Sequence, residues 1–309
     1  MTALASGDPP ALHRMEMMHR ELARLNHRRL EPTVPGVDDE AELANERTAS
    51  ELELKLLRAE RRAIATLAAR APTDADAFVV WFEALKQTGP GQHDRLFPWL
   101  AEEATHAELC WFLFQEVAGE AGFDDLVALA QVKMPARAKL EMARNYWDEM
   151  GQGTLKGMHG GMLADLCDEL ALHPRADQVV WETVAVGNLM LAMAKHRSWA
   201  YHAVGALGAI ELTAPTRVSF VHDGLARLGI SPRGRKYFAV HATLDVKHSE
   251  AWDREVLHTL VADRPEVAVA LAEGALIRMS AGARCFVRYR RELALGSRDG
   301  ALRGWRPPE

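Results

Sequence analysis

Three side chains in the stretch Tyr237 to Trp252 (YFAVHATLDVKHSEAW) have the types and the spacing to bind a metal: His241, Asp245 and His248 fall at i, i+4 and i+7. At about 100° per residue they share one face of a helix. Imidazole nitrogens and a carboxylate oxygen along one face, with Val240, Leu244 and Val246 around them, make half a cage for a first-row transition metal. Two ordinary histidines and a surface aspartate would give the same letters, so the rest of the chain has to supply the other ligands.

Upstream, Glu211 is the only acidic residue in the largely apolar run Trp199 to Thr213. A carboxylate buried there must be paired, protonated or bound to a cation. The alternative is that Glu211 ends its helix and faces water before Pro215. Earlier still, NYWDEMGQGTLKGMHGGML sets Glu149 ten residues before His159, with Gly151 and Gly153 between. On an unbroken helix these side chains would point about 80° apart, so they converge only if the glycines bend or unwind the backbone. A plain glycine stop after a helix explains the glycines equally well, but not a histidine on the apolar helix that follows, beside Met158 and Met162.

Glu149 with His159, then Glu211, then His241-x3-Asp245-x2-His248 resembles the heme-oxygenase-like diiron oxidase and oxygenase superfamily in motif order and spacing. That family takes one more glutamate from its first core helix, for which WFLFQEVAGEAGFDD offers Glu116, with Glu108 and Glu120 as competitors. The resemblance implies a site of Glu116, Glu149, His159, Glu211, His241, Asp245 and His248, serving as both metal ligands and catalytic centre. Four carboxylates would balance the charge of two Fe(II) ions, and three imidazoles complete a mixed oxygen and nitrogen shell suited to iron or manganese. It further implies an O2-dependent oxidoreductase with two iron ions as cofactor, acting on a small molecule through a peroxo-diferric species in specialised, natural-product metabolism. An external electron donor is a possible further partner. Outcomes in the family include N-oxygenation, carbon-carbon cleavage and desaturation, among which the ligands do not choose.

Two other readings compete. A ferritin-like di-iron carboxylate protein would use Glu-x-x-His pairs, and Glu16/His19, Glu103/His106 and Glu255/His258 have that form, although such a reading leaves the Tyr237–Trp252 stretch unexplained. A non-catalytic helical interaction scaffold would instead use the long Glu40 to Arg70 segment as its working surface. Heme would need one axial histidine rather than seven ligands. For the substrate, Lys195, His196, Arg197 or His202 on the way to Glu211 offer a charge-assisted bond to a carboxylate, or else form a solvated stripe. Trp111, Phe112 and Phe114 are candidates for a pocket wall or for core. An amino acid or amine-like substrate is the expectation.

The elements that must position these residues are all helices. Gly and Pro fall at segment boundaries, no valine- and isoleucine-rich alternation occurs, and Ala, Leu, Glu and Arg dominate between breaks, so the fold class is all-α. The resemblance implies, more narrowly, a heme-oxygenase-like helical bundle with extra N-terminal helices. Residues 1–74 form an N-terminal helical extension for packing or dimerisation, and residues 75–309 the di-iron helical domain. In the extension, Leu12 to Leu30 and Glu40 to Arg70 read as helices, the second with Leu43, Leu52, Leu54, Leu57, Ile64 and Leu67 on a broad stripe. Ala71 to Gly91 reads as a capped helix with a Gly-Pro-Gly stop, and later breaks are expected at, among others, Gly151 to Gly153 and Pro215.

With 309 residues, 48% hydrophobic and 26% charged, the chain can bury a sizeable core. A net charge of -6 offers no basic stripe for nucleic acid or an anionic membrane, so neither is an expected partner. The N-terminus lacks a charged segment followed by an apolar run, and no apolar run approaches membrane-spanning length, so a cytoplasmic location is expected. Cys110, Cys167 and Cys285 lie far apart with no CxxC pair, which indicates small buried residues rather than zinc or disulfides. A homodimer is the expected assembly.

Overall fold

A computed structural model of the chain describes residues 9–295 apart from 35, 37, 120 and 121, with a few positions near the C-terminus. Among the described residues every regular element is helical. The N-terminal pair is α1 (Pro9–Leu30) and α2 (Asp39–Ala68). Asp38 caps α2 by accepting from the amides of Glu40 and Ala41. Leu22 and Leu25 of α1 and Leu56, Leu57 and Ile64 of α2 are buried, and both helices pack on α9 (Trp181–Lys195). The stripe expected on α2 is narrower than the sequence suggested: Leu43 and Leu67 face solvent, because one side of a two-helix layer is all the bundle covers.

Next come α3 (Ala75–Thr88), capped by Asp74 and ended at Gly89, then α4 (Leu96–Glu102), α5 (His106–Gly119) and α6 (Phe123–Ala130). The site-bearing helices are α7 (Ala136–Glu149), α8 (His159–Leu170), α10 (Ala200–Arg227) and α11 (Lys236–Ala251). A π-helical turn, Trp252–Leu257, joins α11 to α12 (His258–Asp263), and α13 (Ala268–Glu292) closes the bundle.

The spine is the crossing of α10 and α13. A Cβ at Gly205 would strike the Leu271 carbonyl, and one at Gly274 the His202 carbonyl, so the two backbones meet without side chains between them. This close approach buries nearly every residue of α10 from Ala200 to Thr213 and carries Glu211 into the interior. The helix break expected at Pro215 does not occur, for α10 continues to Arg227. Proline has no amide to give the Glu211 carbonyl, a loss of about 3 kcal/mol in a helix interior. Burial of Val221 and Leu225 beyond it, by about 1.5–3 kcal/mol each, outweighs that loss.

Candidate metal centre

On α11 the buried residues are Phe238, His241, Asp245 and His248. An inward stripe that is mostly imidazole and carboxylate is costly unless it is paired or coordinated. Val246, expected to shield the site, is turned out to solvent, and Val240 and Leu244 are half-buried.

Glu149 ends α7 and His159 begins α8. Between them the chain makes two short 3-10 turns and folds back so that Met150 and Met158 pair as an isolated antiparallel bridge. Gly151 has a left-handed backbone (φ +59) and lies directly against Gly157, with no space for a Cβ. The glycines therefore do reverse the backbone, as convergence requires. Glu149 Oε2 stands 2.8 Å from His159 Nδ1, and His159 Nδ1 is 3.1 Å from His241 Nε2. One ligand atom from each of Glu149, His159 and His241 lies within 4.8 Å of the other two.

Glu211, Asp245 and His248 form a second such triad. His248 Nδ1 lies 3.6 Å from Glu211 Oε2 and 4.0 Å from Asp245 Oδ1, is buried, and has no hydrogen-bond partner. Its other nitrogen, Nε2, faces Asp148 Oδ2 at 3.1 Å. Asn145 donates from Nδ2 to Glu211 Oε1 at 2.6 Å, fixing that carboxylate from α7. His241 is oriented in the same manner: Nδ1–H donates to the Tyr237 carbonyl at 2.7 Å, which leaves the Nε2 lone pair for the first triad.

The charges are what such a cage produces when metal-free. Burial holds the Asp245 carboxyl well above the ordinary range, with the Glu211 charge adding to it. Burial alone would lower His248, but the nearby Glu211 carboxylate, helped by Asp148 and Asp245, raises it to about 9. Burial drops His241 to about 4, against the pull of Glu149. Three carboxylates and three imidazoles crowd together, and a buried nitrogen aims at two carboxylates without bonding either. These residues fit a pair of divalent first-row ions.

Both triads open on one cavity of about 270 Å³. Glu116 lies on its wall but joins neither triad; its Oε1 accepts a 2.9 Å hydrogen bond from the Tyr289 hydroxyl. The Glu116 side chain is accessible where it faces the cavity. The protein packed around it pushes the carboxyl up, opposed by Tyr289 and by the charges of Arg278 and Arg217. Glu108, the first competitor, is used in a capping box with Thr105 at the start of α5, and Glu120 lies outside the described residues.

The cations suggested for substrate binding do not reach this cavity. Lys195 pairs with Glu46, His196 with Glu53 and His202 with Glu273, while Arg197 caps the carbonyls of Leu129 and Val132. The cavity's cations are Arg217 on α10 and Arg278 on α13, neither of which stands out in the sequence. Phe112 does line the cavity, and Trp111 and Phe112 both stand edge-on to Tyr289. The Glu-x-x-His pairs are dispersed: Glu16 binds Arg20, His19 stacks on Trp181, Glu255 binds Arg137, and His258 faces Asp76. The three cysteines are free and buried, as expected.

A family model described as iron-containing redox enzyme matches residues 110–283, more than half of the chain and all six triad residues. No curated protein matches the chain. Among solved structures it is similar to a CADD-like protein of unknown function from Nostoc punctiforme, in crystal structures at 2.00 Å and 1.35 Å resolution. Identity is 17% in both, coverage is 77% of this chain and 98% or 96% of that one, and the TM-scores are 0.49 and 0.47.

Proposed function

The chain belongs to the iron-containing redox enzyme family, as its motif order had suggested, and from that premise we propose that it is an O2-dependent di-iron oxidase or oxygenase of a small molecule. The observation that carries the proposal is the pair of neighbouring buried triads facing one cavity. Glu149, His159 and His241 would hold one iron, and Glu211, Asp245 and His248 the other. When bound, the two irons supply the electrons that activate dioxygen for oxidation of a substrate alongside.

The chain's own residues prepare that chemistry. The Tyr237 carbonyl and Asp148 set the tautomers of His241 and His248, so that each presents a lone pair inward. Asn145 keeps Glu211 from rotating away. Because the Tyr289 proton goes to Glu116 Oε1, Thr183 Oγ1 donates in turn to the Tyr289 oxygen at 2.7 Å. Thr183, Tyr289 and Glu116 thus form a chain able to hold or pass a proton at the cavity wall. Apolar side chains such as Phe112 and Phe286 keep water from the space around the substrate.

The test is oxygen uptake by Fe(II)-loaded protein with a panel of amino acids, amines and carboxylic acids. At least one class should accelerate uptake in the wild type and leave His241→Ala unaffected. Uptake identical in the two proteins across the panel overturns the proposal.

A further inference from the structure

Outside the triads, the cavity wall holds one guanidinium that has no hydrogen-bond partner among the described residues, although the Glu116 charge acts on it. Arg278 has no hydrogen bond or ion pair among the described residues, and its buried Nε has no partner. Its guanidinium lies back along α13 over Gly282, where a Cβ would come within 3.0 Å of Nη1. Arg278 is half-buried, and a guanidinium that faces a cavity without a hydrogen-bond acceptor is one that a bound anion can complete.

Arg217 stands close enough for the two cations to oppose each other. It is held in place rather than open: its guanidinium lies over Phe286 (4.8 Å) and Phe97 (5.7 Å). The other charges acting on Arg217 are Glu116 and Asp94, and Asp94 is already bound by Arg290. Outside the triads the wall thus carries two guanidinium charges and two carboxylates, Glu116 and Asp124, and neither carboxylate bonds Arg278 directly. Asp124, the remaining carboxylate on the wall outside the triads, sits in the first turn of α6.

We infer that Arg278, backed by Arg217, is the anchoring subsite for a monoanionic carboxylate, and that the molecule bound in this cavity is an apolar or aromatic carboxylic acid whose body lies along Phe112 and Phe286. A planar guanidinium suits a carboxylate through two parallel hydrogen bonds. With the fixed charges of the wall already matched, one added negative charge is accommodated better than the two of a phosphate dianion. Arg217 is six residues beyond Glu211 on α10, about 9 Å along the axis, which sets the scale of the separation between this wall and the triads that line the same cavity. The inference rests on the oxidase reading only in calling this molecule the substrate; the subsite itself is a property of the metal-free chain.

The test is calorimetric binding to the full chain without metal, which removes the irons as competitors for carboxylate. The probes are straight-chain and phenyl-substituted monocarboxylates of four to ten carbons, with their primary amides and the corresponding alkyl phosphates. At least one acid should bind at least ten times more tightly than its amide and its phosphate analogue, and Arg278→Gln should remove that preference while leaving iron stoichiometry unchanged. Equal binding of acid and amide, no binding by any acid, preference for the phosphate, or an unaltered preference in Arg278→Gln overturns the inference. Since iron content is read separately, two irons without acid selectivity would retain the oxidase reading and remove this one, and acid selectivity without iron would do the reverse.

Discussion

Glu149 and His159 are ten residues apart in sequence, yet Glu149 Oε2 and His159 Nδ1 lie 2.8 Å apart. The fold-back that joins them depends on Gly151, whose left-handed backbone costs a residue with a Cβ about 1–2 kcal/mol, and whose contact with Gly157 admits no Cβ at all. Gly151→Ala should open the turn, lose the iron held by Glu149, His159 and His241, and keep that held by α10 and α11. Metal analysis of the purified variant checks this; two irons at wild-type affinity would show that the pairing survives without the glycine.

Glu116 and Glu108 should behave differently. The two triads give the irons six ligands, so Glu116→Ala should retain both irons. Loss of one would make Glu116 a seventh ligand, as the family resemblance implies. Glu108→Ala should also keep both while losing about 0.5–2 kcal/mol of stability in a denaturant melt, because it removes the capping box with Thr105.

Asp148 acts on the cage through His248, whose Nε2 it faces at 3.1 Å. Replacing such an orienting carboxylate costs about 10- to 100-fold in metal affinity. Asp148→Asn should therefore weaken one iron of the pair by that amount, measured by competition with a chelator, and leave the helical circular dichroism unchanged.

The sequence disclosed the half of the site that is local. His241, Asp245 and His248 lie on one helix, where spacing alone fixes a shared face, and the glycines after Glu149 announced a bend. What it hid depends on contacts between distant segments. Lys195, His196 and His202 looked available because Glu46, Glu53 and Glu273, which occupy them, are at least seventy positions away in the chain. Nothing local marks Arg217 or Arg278, and only the packing of α10 against α13 turns them to the same cavity. Pro215 read as a helix end because proline propensity is local, while the burial that overrides it is not.

Asp253, in the π-helical turn beyond α11, is buried, and burial together with the Glu83 charge raises its carboxyl to about 7. The folded protein thus holds this proton more tightly than the unfolded chain. Stability should fall as pH rises from about 4 to about 7 and then level off, with this group's share on the order of a few kcal/mol. Asp253→Asn removes the titration, so at pH 8 it should melt several degrees above wild type and near pH 4 at the same temperature. A variant that melts lower at pH 8 would contradict the sign.

The most direct measurement is anaerobic titration of the metal-free protein with Fe(II), counting bound iron per chain in the wild type, His241→Ala and Glu211→Ala while following far-UV circular dichroism. The account predicts two irons in the wild type, fewer in each variant, and an unchanged helical signal in all three. No iron uptake by the wild type, or two irons retained in both variants, would contradict it.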